Sequence, residues 1–178
     1  LFALRAPDLG CIEAVYCSHI VSWMGLIERR RAELVHDIAA GGLAGDLVLT
    51  VEERATLAAL LPPAPERARQ VARELAGEPA GRMTRLWPKL KVLSSVVSVA
   101  FTVSVPRLRE LANPGPALYT TCFGATEGMV GINLWSDAPE RYALALGAVH
   151  FEFLPVSELG GGRPRTVGIS ALEKGQCY

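Results

Sequence analysis

Apolar residues recur at helical spacing through the first part of the chain. Ile12, Val15, Tyr16, Ile20, Trp23, Met24 and Ile27, then Leu34, Val35 and Ile38, form one stripe, and Glu28, Arg29, Arg30, Arg31, Glu33 and Asp37 lie opposite. The spacing predicts a helix over 9–40. Gly41-Gly42 supplies its stop, because glycine takes the left-handed conformation that closes a helix. Thr50 and Glu53 stand at capping-box spacing and predict a helix over 51–61, ended by Pro62-Pro63. Another helix is predicted over 65–76, with a proline at its first position and Gly77 behind it.

The pattern changes at Trp87-Pro88. Residues 92–99 mix β-branched and small polar side chains, which predicts a buried strand. A short helix over 105–112 is followed by a second strand over 117–123, a loop over 124–128 and a third strand over 129–134. Residues 143–146 and 149–154 read as a hairpin across Gly147, with Phe151 and Phe153 on one face and His150 and Glu152 on the other. Helices first and strands later predict an α/β chain, with a mainly helical part over 1–86 and a strand-rich mixed sheet over 87–178.

Composition narrows the function classes. Half of the 178 residues are apolar, enough for a real core and too many for a disordered chain. The 18 basic and 18 acidic side chains cancel, which excludes a nucleic-acid or anionic-membrane binder held by bulk charge. The apolar run from Val92 to Val105 is interrupted by serines and threonines and falls short of the roughly 20 residues a membrane span needs. Cys11, Cys17, Cys122 and Cys177 have no metal-ligand spacing and read as reduced, mostly buried thiols, with Cys11 and Cys17 on different faces of one helix. His19 falls among apolar positions and reads as a core histidine, His36 as a helix-end residue and His150 as a surface strand residue. Trp23, Trp87 and Trp135 read as packing residues.

The segment Phe123-Gly-Ala-Thr-Glu127-Gly128 carries the most chemistry. An aromatic ring at a strand end offers a flat face to a purine. Gly124 lets the backbone approach a ligand, the Thr126 hydroxyl can bond a phosphate, and Glu127 is an oxygen ligand suited to magnesium. A tight turn between two strands accounts for the same glycines.

The segment resembles the nucleotide motif of adenylate-forming enzymes, and the flanking sequence resembles the Gretchen Hagen three family of acyl-acid amido synthetases. Four blocks carry the likeness in the family's order: Leu26 to Ile38 with Gly41 close behind, Arg85-Leu-Trp-Pro-Lys-Leu-Lys91, Thr121 to Glu127 with Gly131-Ile-Asn-Leu134, and Phe151-Glu-Phe-Leu-Pro155. The wording is nearest to the family's vertebrate branch.

The resemblance implies a two-step ligase that uses ATP and magnesium to join a small acyl acid to an amino acid through an acyl-adenylate. It places Phe123 under the adenine, with Gly124 and Ala125 giving backbone room. Thr126 falls on the phosphate, and Glu127 on the magnesium; these last two are the expected catalytic residues. It places an acyl pocket at Val99, Ala100 and Phe101, where the family commonly has a Thr-Gly-small pattern, so Val99 is expected to narrow it. Phe123 stands where the family usually has tyrosine. The family's phosphate loop and its Tyr-Arg-x-Gly-Asp segment are not in this sequence. The chain is therefore expected to be an internal piece of the large N-terminal domain, one incomplete domain over 1–178, with negligible turnover. The alternative is a non-catalytic interaction module on the same fold. The expected compartment is the cytoplasm, or the endoplasmic reticulum or nuclear envelope if a signal lies outside this stretch. No nucleic-acid partner is expected.

Overall fold

In the computed structural model, three strands far apart in sequence run side by side. β1 (Cys11–Tyr16), β2 (Val92–Val96) and β3 (Ala117–Tyr119) form a parallel sheet with β2 in the middle. Ile12, Leu93 and Leu118 share one register row, and Cys11, Val92 and Ala117 the next. The described residues are Leu1–Tyr178 apart from Ala44, Asp46, Ser98 and Gly161 and the side chains of Val99, Ala100 and Phe101. Helices α1 (Phe2–Arg5), α2 (Cys17–Arg29), α3 (Arg31–Ala40), α4 (Val51–Ala59), α5 (Pro65–Ala76), α6 (Arg82–Leu86) and α7 (Val105–Ala112) accompany the sheet. The chain divides into two compact units, Leu1–Thr121 with Trp135–Arg141, and Cys122–Leu134 with Tyr142–Tyr178.

The single helix expected over 9–40 is not what forms. Its first turn and a half is β1, and the rest is two helices broken at Arg30. Ile12 is buried whereas Val15, a member of the predicted stripe, is 64% exposed. That is a period of two, set by parallel pairing with β2 and invisible to a local window. Cys11 consequently lies on a strand and is exposed. Cys17 is buried, Cys122 half-buried and Cys177 exposed, so the expectation of mostly buried thiols fails, although all four are free. His19 is exposed, edge-on to Tyr16 at 5.3 Å between ring centres, and is no core residue.

The other helices follow their local signals. Thr50 caps α4 and Glu53 completes the reciprocal box. Pro65 opens α5. Gly41 closes α3 at φ +75°, and a side chain there would sit 2.6 Å from the Pro63 nitrogen.

The core of the first unit gathers Ile20, Met24 and Ile27 of α2, Val71 and Leu75 of α5, Leu108 and Leu111 of α7, and Leu93 of β2. Trp87 is fully buried, stacks on Trp23 at 5.5 Å and donates from its indole N–H to the Ala3 carbonyl at 2.7 Å. Burial of this kind, roughly 25 cal/mol for each Å² of apolar surface, is what holds helices on a sheet. Buried Arg67 ties three segments together by donating to the Leu4 carbonyl at 2.6 Å, the Leu86 carbonyl at 2.7 Å and Gln70 Oε1 at 2.6 Å.

β2 ends at Val96 and passes towards a 3₁₀ helix over Val99–Ser104, earlier than the strand expected over 92–99. The strand expected over 117–123 is divided. β3 stops at Tyr119, and the buried Thr120 hydroxyl donates to the Ser95 carbonyl at 2.8 Å. Pairing resumes at Cys122 in a different sheet.

The second unit contains that sheet, antiparallel and ordered β4 (Cys122–Ala125), β5 (Gly128–Ile132), β6 (Ala143–Leu144). The hairpin expected across Gly147 does not form, because Ala143 and Leu144 pair with Ile132 and Gly131 instead. Phe153 bridges to Val167 rather than to that strand. Phe151 and Phe153 do share a face, stacked at 6.1 Å. The strand-rich half thus holds one parallel and one antiparallel sheet rather than a single mixed one.

Candidate functional site

β4 and β5 form a hairpin closed by two residues, Thr126 and Glu127. Residues 124–128, expected as a loop, are mostly strand: Gly124 and Ala125 belong to β4 and Gly128 to β5. Both turn residues are exposed, so a hydroxyl and a carboxylate stand next to each other at the apex. Glu127 forms no ion pair among the described residues.

Register decides where Phe123 points. Phe123 pairs with Gly131, and Gly124 pairs with Met129, which leaves Val130 as an extra residue on β5. Such a bulge bends the strand and re-aims the side chains beside it. Phe123 is 42% exposed, and its ring centre lies 5.7 Å from that of Tyr142, tilted by 41°. Tyr142 can come this close because Gly131 has no side chain. A Cβ on Gly131 would stand 2.9 Å from the Tyr142 Cβ and 3.0 Å from the Ala143 carbonyl oxygen.

The arrangement offers an aromatic surface on the hairpin flank and oxygen ligands at its tip. Aromatic faces stack on nucleobases of any sequence. Among the described residues no group of three or more His, Cys, Asp and Glu could hold a metal by itself. A divalent cation would be held by Glu127 together with the phosphate oxygens of a ligand, the usual pattern for magnesium and one that fits this donor set.

The structure brings Phe123, Gly124, Ala125, Thr126 and Glu127 onto one hairpin, as their contiguity requires. The side chains of Val99, Ala100 and Phe101, expected to line an acyl pocket, lie outside the described residues. Sequence reading missed Tyr142 and Gly131. An aromatic residue three positions into a strand-poor stretch carries no motif, and the only available signal was a glycine in the strand that follows the turn. A separate cleft of about 540 Å³ in the first unit, lined by Leu93, Leu108, Arg109 and Leu118 among others, contains none of the predicted site residues.

The fold and the four sequence blocks define a mixed α/β protein of the acyl acid amido synthetase kind. The solved GH3.15 acyl acid amido synthetase superposes with a TM-score of 0.81 over 98% of this chain and 31% of its own, at 22% identity. The model of the GH3 family N-terminal domain matches residues 1–117, and the chain belongs to the GH3 family. The GH3 domain-containing protein of Mus musculus is 32% identical over 159 residues, 89% of this chain and 27% of that protein. The indole-3-acetic acid-amido synthetase GH3.8 of Oryza sativa subsp. indica is 31% identical over 178 residues, 96% of this chain and 29% of that protein. The chain thus spans less than a third of the length of either curated relative. The family resemblance read from the four blocks holds.

Proposed function

We propose that this chain supplies the nucleotide-binding hairpin of an ATP-dependent acid–amino acid ligase. The overall reaction has two steps. A carboxylate oxygen of the acyl acid attacks the α-phosphorus of ATP and expels pyrophosphate. The amine of an amino acid then attacks the acyl carbonyl of the adenylate and expels AMP. Phe123 gives the adenine a flat support, Gly124 and Ala125 keep the backbone low beneath it, and the Thr126 hydroxyl donates to a phosphate oxygen. Glu127 holds the cation. Magnesium at that position neutralises charge on the phosphate oxygens. The acyl group is assigned to Val99, Ala100 and Phe101, with Val99 limiting its size.

One observation carries the reading: Thr126 and Glu127 stand side by side at the exposed tip of a hairpin whose first strand carries Phe123. The sequence holds one of the family's three nucleotide motifs, so binding is weak and turnover by this chain alone is negligible. The substrates are a small acyl acid and an amino acid, and the compartment is the cytoplasm. Among the described residues no helix is long and apolar enough to cross a membrane.

The test is ATP binding with and without magnesium, followed by ligand-detected NMR at millimolar nucleotide. Magnesium-dependent contact that disappears in Glu127→Gln supports the reading, and no contact at any magnesium concentration rejects it. A second reading, a non-catalytic interaction module, draws on the exposure of Ile132, Leu144 and Leu146 at 45%, 38% and 58%. Glu127→Ala separates the two, because it removes nucleotide contact and leaves a partner surface intact.

A further inference from the structure

We propose that Tyr142 is a second nucleobase contact, a specificity-determining residue that works beside Phe123. The proposal rests on the reading of the hairpin as a nucleotide site.

Three features of the second unit support it. The Phe123 and Tyr142 rings are 5.7 Å apart and tilted by 41°, which makes them two panels of one shallow surface rather than a closed stack. A purine is wider than a phenyl ring, so a base resting on Phe123 overhangs towards Tyr142. The position facing Phe123 across the strands is Gly131, and a side chain there would collide with Tyr142 at 2.9 Å. The glycine therefore keeps both rings on one patch. The chemistry of the two rings also differs. Phe123 has no polar atom and supports any base equally. The phenol of Tyr142 both donates and accepts, and adenine and guanine present opposite polarity at their six-position edge. Discrimination between purines falls to Tyr142.

Saturation-transfer NMR on the 178-residue chain tests this with ATP, GTP and inorganic tripolyphosphate as probes. In the unsubstituted chain the adenine H2 and H8 protons are expected to receive more saturation than the ribose H1′. Loss of one base–aromatic stack weakens nucleotide affinity by about 5- to 150-fold. Tyr142→Leu is expected to lower ATP affinity within that range and to leave competition by tripolyphosphate unchanged. Tyr142→Phe keeps the ring and is expected to bring the ATP-to-GTP affinity ratio at least threefold closer to one. Leucine keeps apolar bulk against Gly131; if it nevertheless disrupts the sheet, seen in the amide spectrum, the phenylalanine variant still decides.

If Tyr142→Phe leaves the ATP-to-GTP ratio unchanged while Phe123→Leu abolishes adenine saturation, the role of Tyr142 is overturned and the hairpin remains a nucleotide site. If the unsubstituted chain transfers no saturation to ATP, both readings fall.

Discussion

Arg82 Nη1 donates to the Glu28 carboxylate at 2.9 Å, joining two helices 54 residues apart in sequence. The arginine side chain is 4% exposed and the glutamate 43%. The Nη2 of Arg82 donates to the Gly77 carbonyl at 2.6 Å, and its Nε is buried with no partner among the described residues. A buried guanidinium in this state depends on its counter-charge.

Removing that counter-charge is therefore expected to cost stability. Glu28→Ala should destabilise the chain by about 1–2 kcal/mol, less than for a fully buried pair because water reaches the glutamate site. The double variant Glu28→Ala with Arg82→Met should cost less than the sum of the singles. Urea unfolding of the four proteins measures both quantities. Strict additivity would show that the pair contributes no coupling.

Arg67 offers a harder case, because its partners are mostly carbonyls. Burial lowers its pKa from the ordinary arginine value, and its bonds to Leu4, Leu86 and Gln70 offset the desolvation. Lysine cannot reproduce a planar fork of donors. Arg67→Lys and Arg67→Met are both expected to destabilise by about 2–4 kcal/mol, read from thermal melting. A lysine variant with unchanged melting would contradict the geometric account.

The capping box at α4 predicts a local pH dependence. The Glu53 carboxyl is held below its ordinary value of 4.5, first by the Thr50 backbone N–H and then by the Thr50 hydroxyl. A depressed folded-state pKa means the contribution is fully present above about pH 4.5 and is lost as pH falls through the lower folded value. Since α4 buries no residue, the effect should stay local. Amide exchange in its first turn should accelerate below that pH, and Glu53→Gln should flatten the dependence. Thr50→Ala should cost α4 about 1 kcal/mol at neutral pH.

Thiol chemistry reports the fold directly. Cys17 is completely buried and its pKa is pushed up by burial, whereas Cys11 and Cys177 are exposed. A thiolate-selective reagent at pH 8 should label Cys11 and Cys177 first, Cys122 more slowly, and Cys17 only on unfolding. Rapid labelling of Cys17 in the native chain would show that α2 does not pack as described.

Gly131→Ala tests the close approach on which the hairpin surface depends. The added methyl meets Tyr142 and the Ala143 carbonyl inside normal contact distance. Overpacking of this kind costs about 1–3 kcal/mol. The expected outcome is a shifted Tyr142 ring and weakened β5–β6 pairing, visible in amide exchange at Ile132 and Ala143, with α2 and α5 unaffected.

Helix ends and the motif were legible in sequence for one reason: their determinants are adjacent. Thr50 and Glu53, Pro65 and Gly41 act within one turn of where they stand. Phe123 to Glu127 occupy one hairpin because they are consecutive. The first strand was not legible. Ile12, Tyr16 and Ile20 suit a helix, and Ile12, Ala14 and Tyr16 suit a strand equally well; the choice was made by Val92–Val96, far along the chain. The expected hairpin across Gly147 failed in the same way, since β6 found a better partner in Gly131 and Ile132. His19 was misplaced because the helical stripe was drawn one element too long.

The sequence by itself determined the family, the class of fold, the capped helices and the five-residue nucleotide motif, all of them properties of contiguous residues and their order. Only the tertiary structure decided that residues 11–16 are a strand, that the strand-rich half holds two sheets, and that Tyr142 stands beside Phe123. Each of these depends on backbone pairing between distant segments, and in the last case on the absence of one Cβ at Gly131. No local pattern encodes such a pairing, because its free energy belongs to both partners at once.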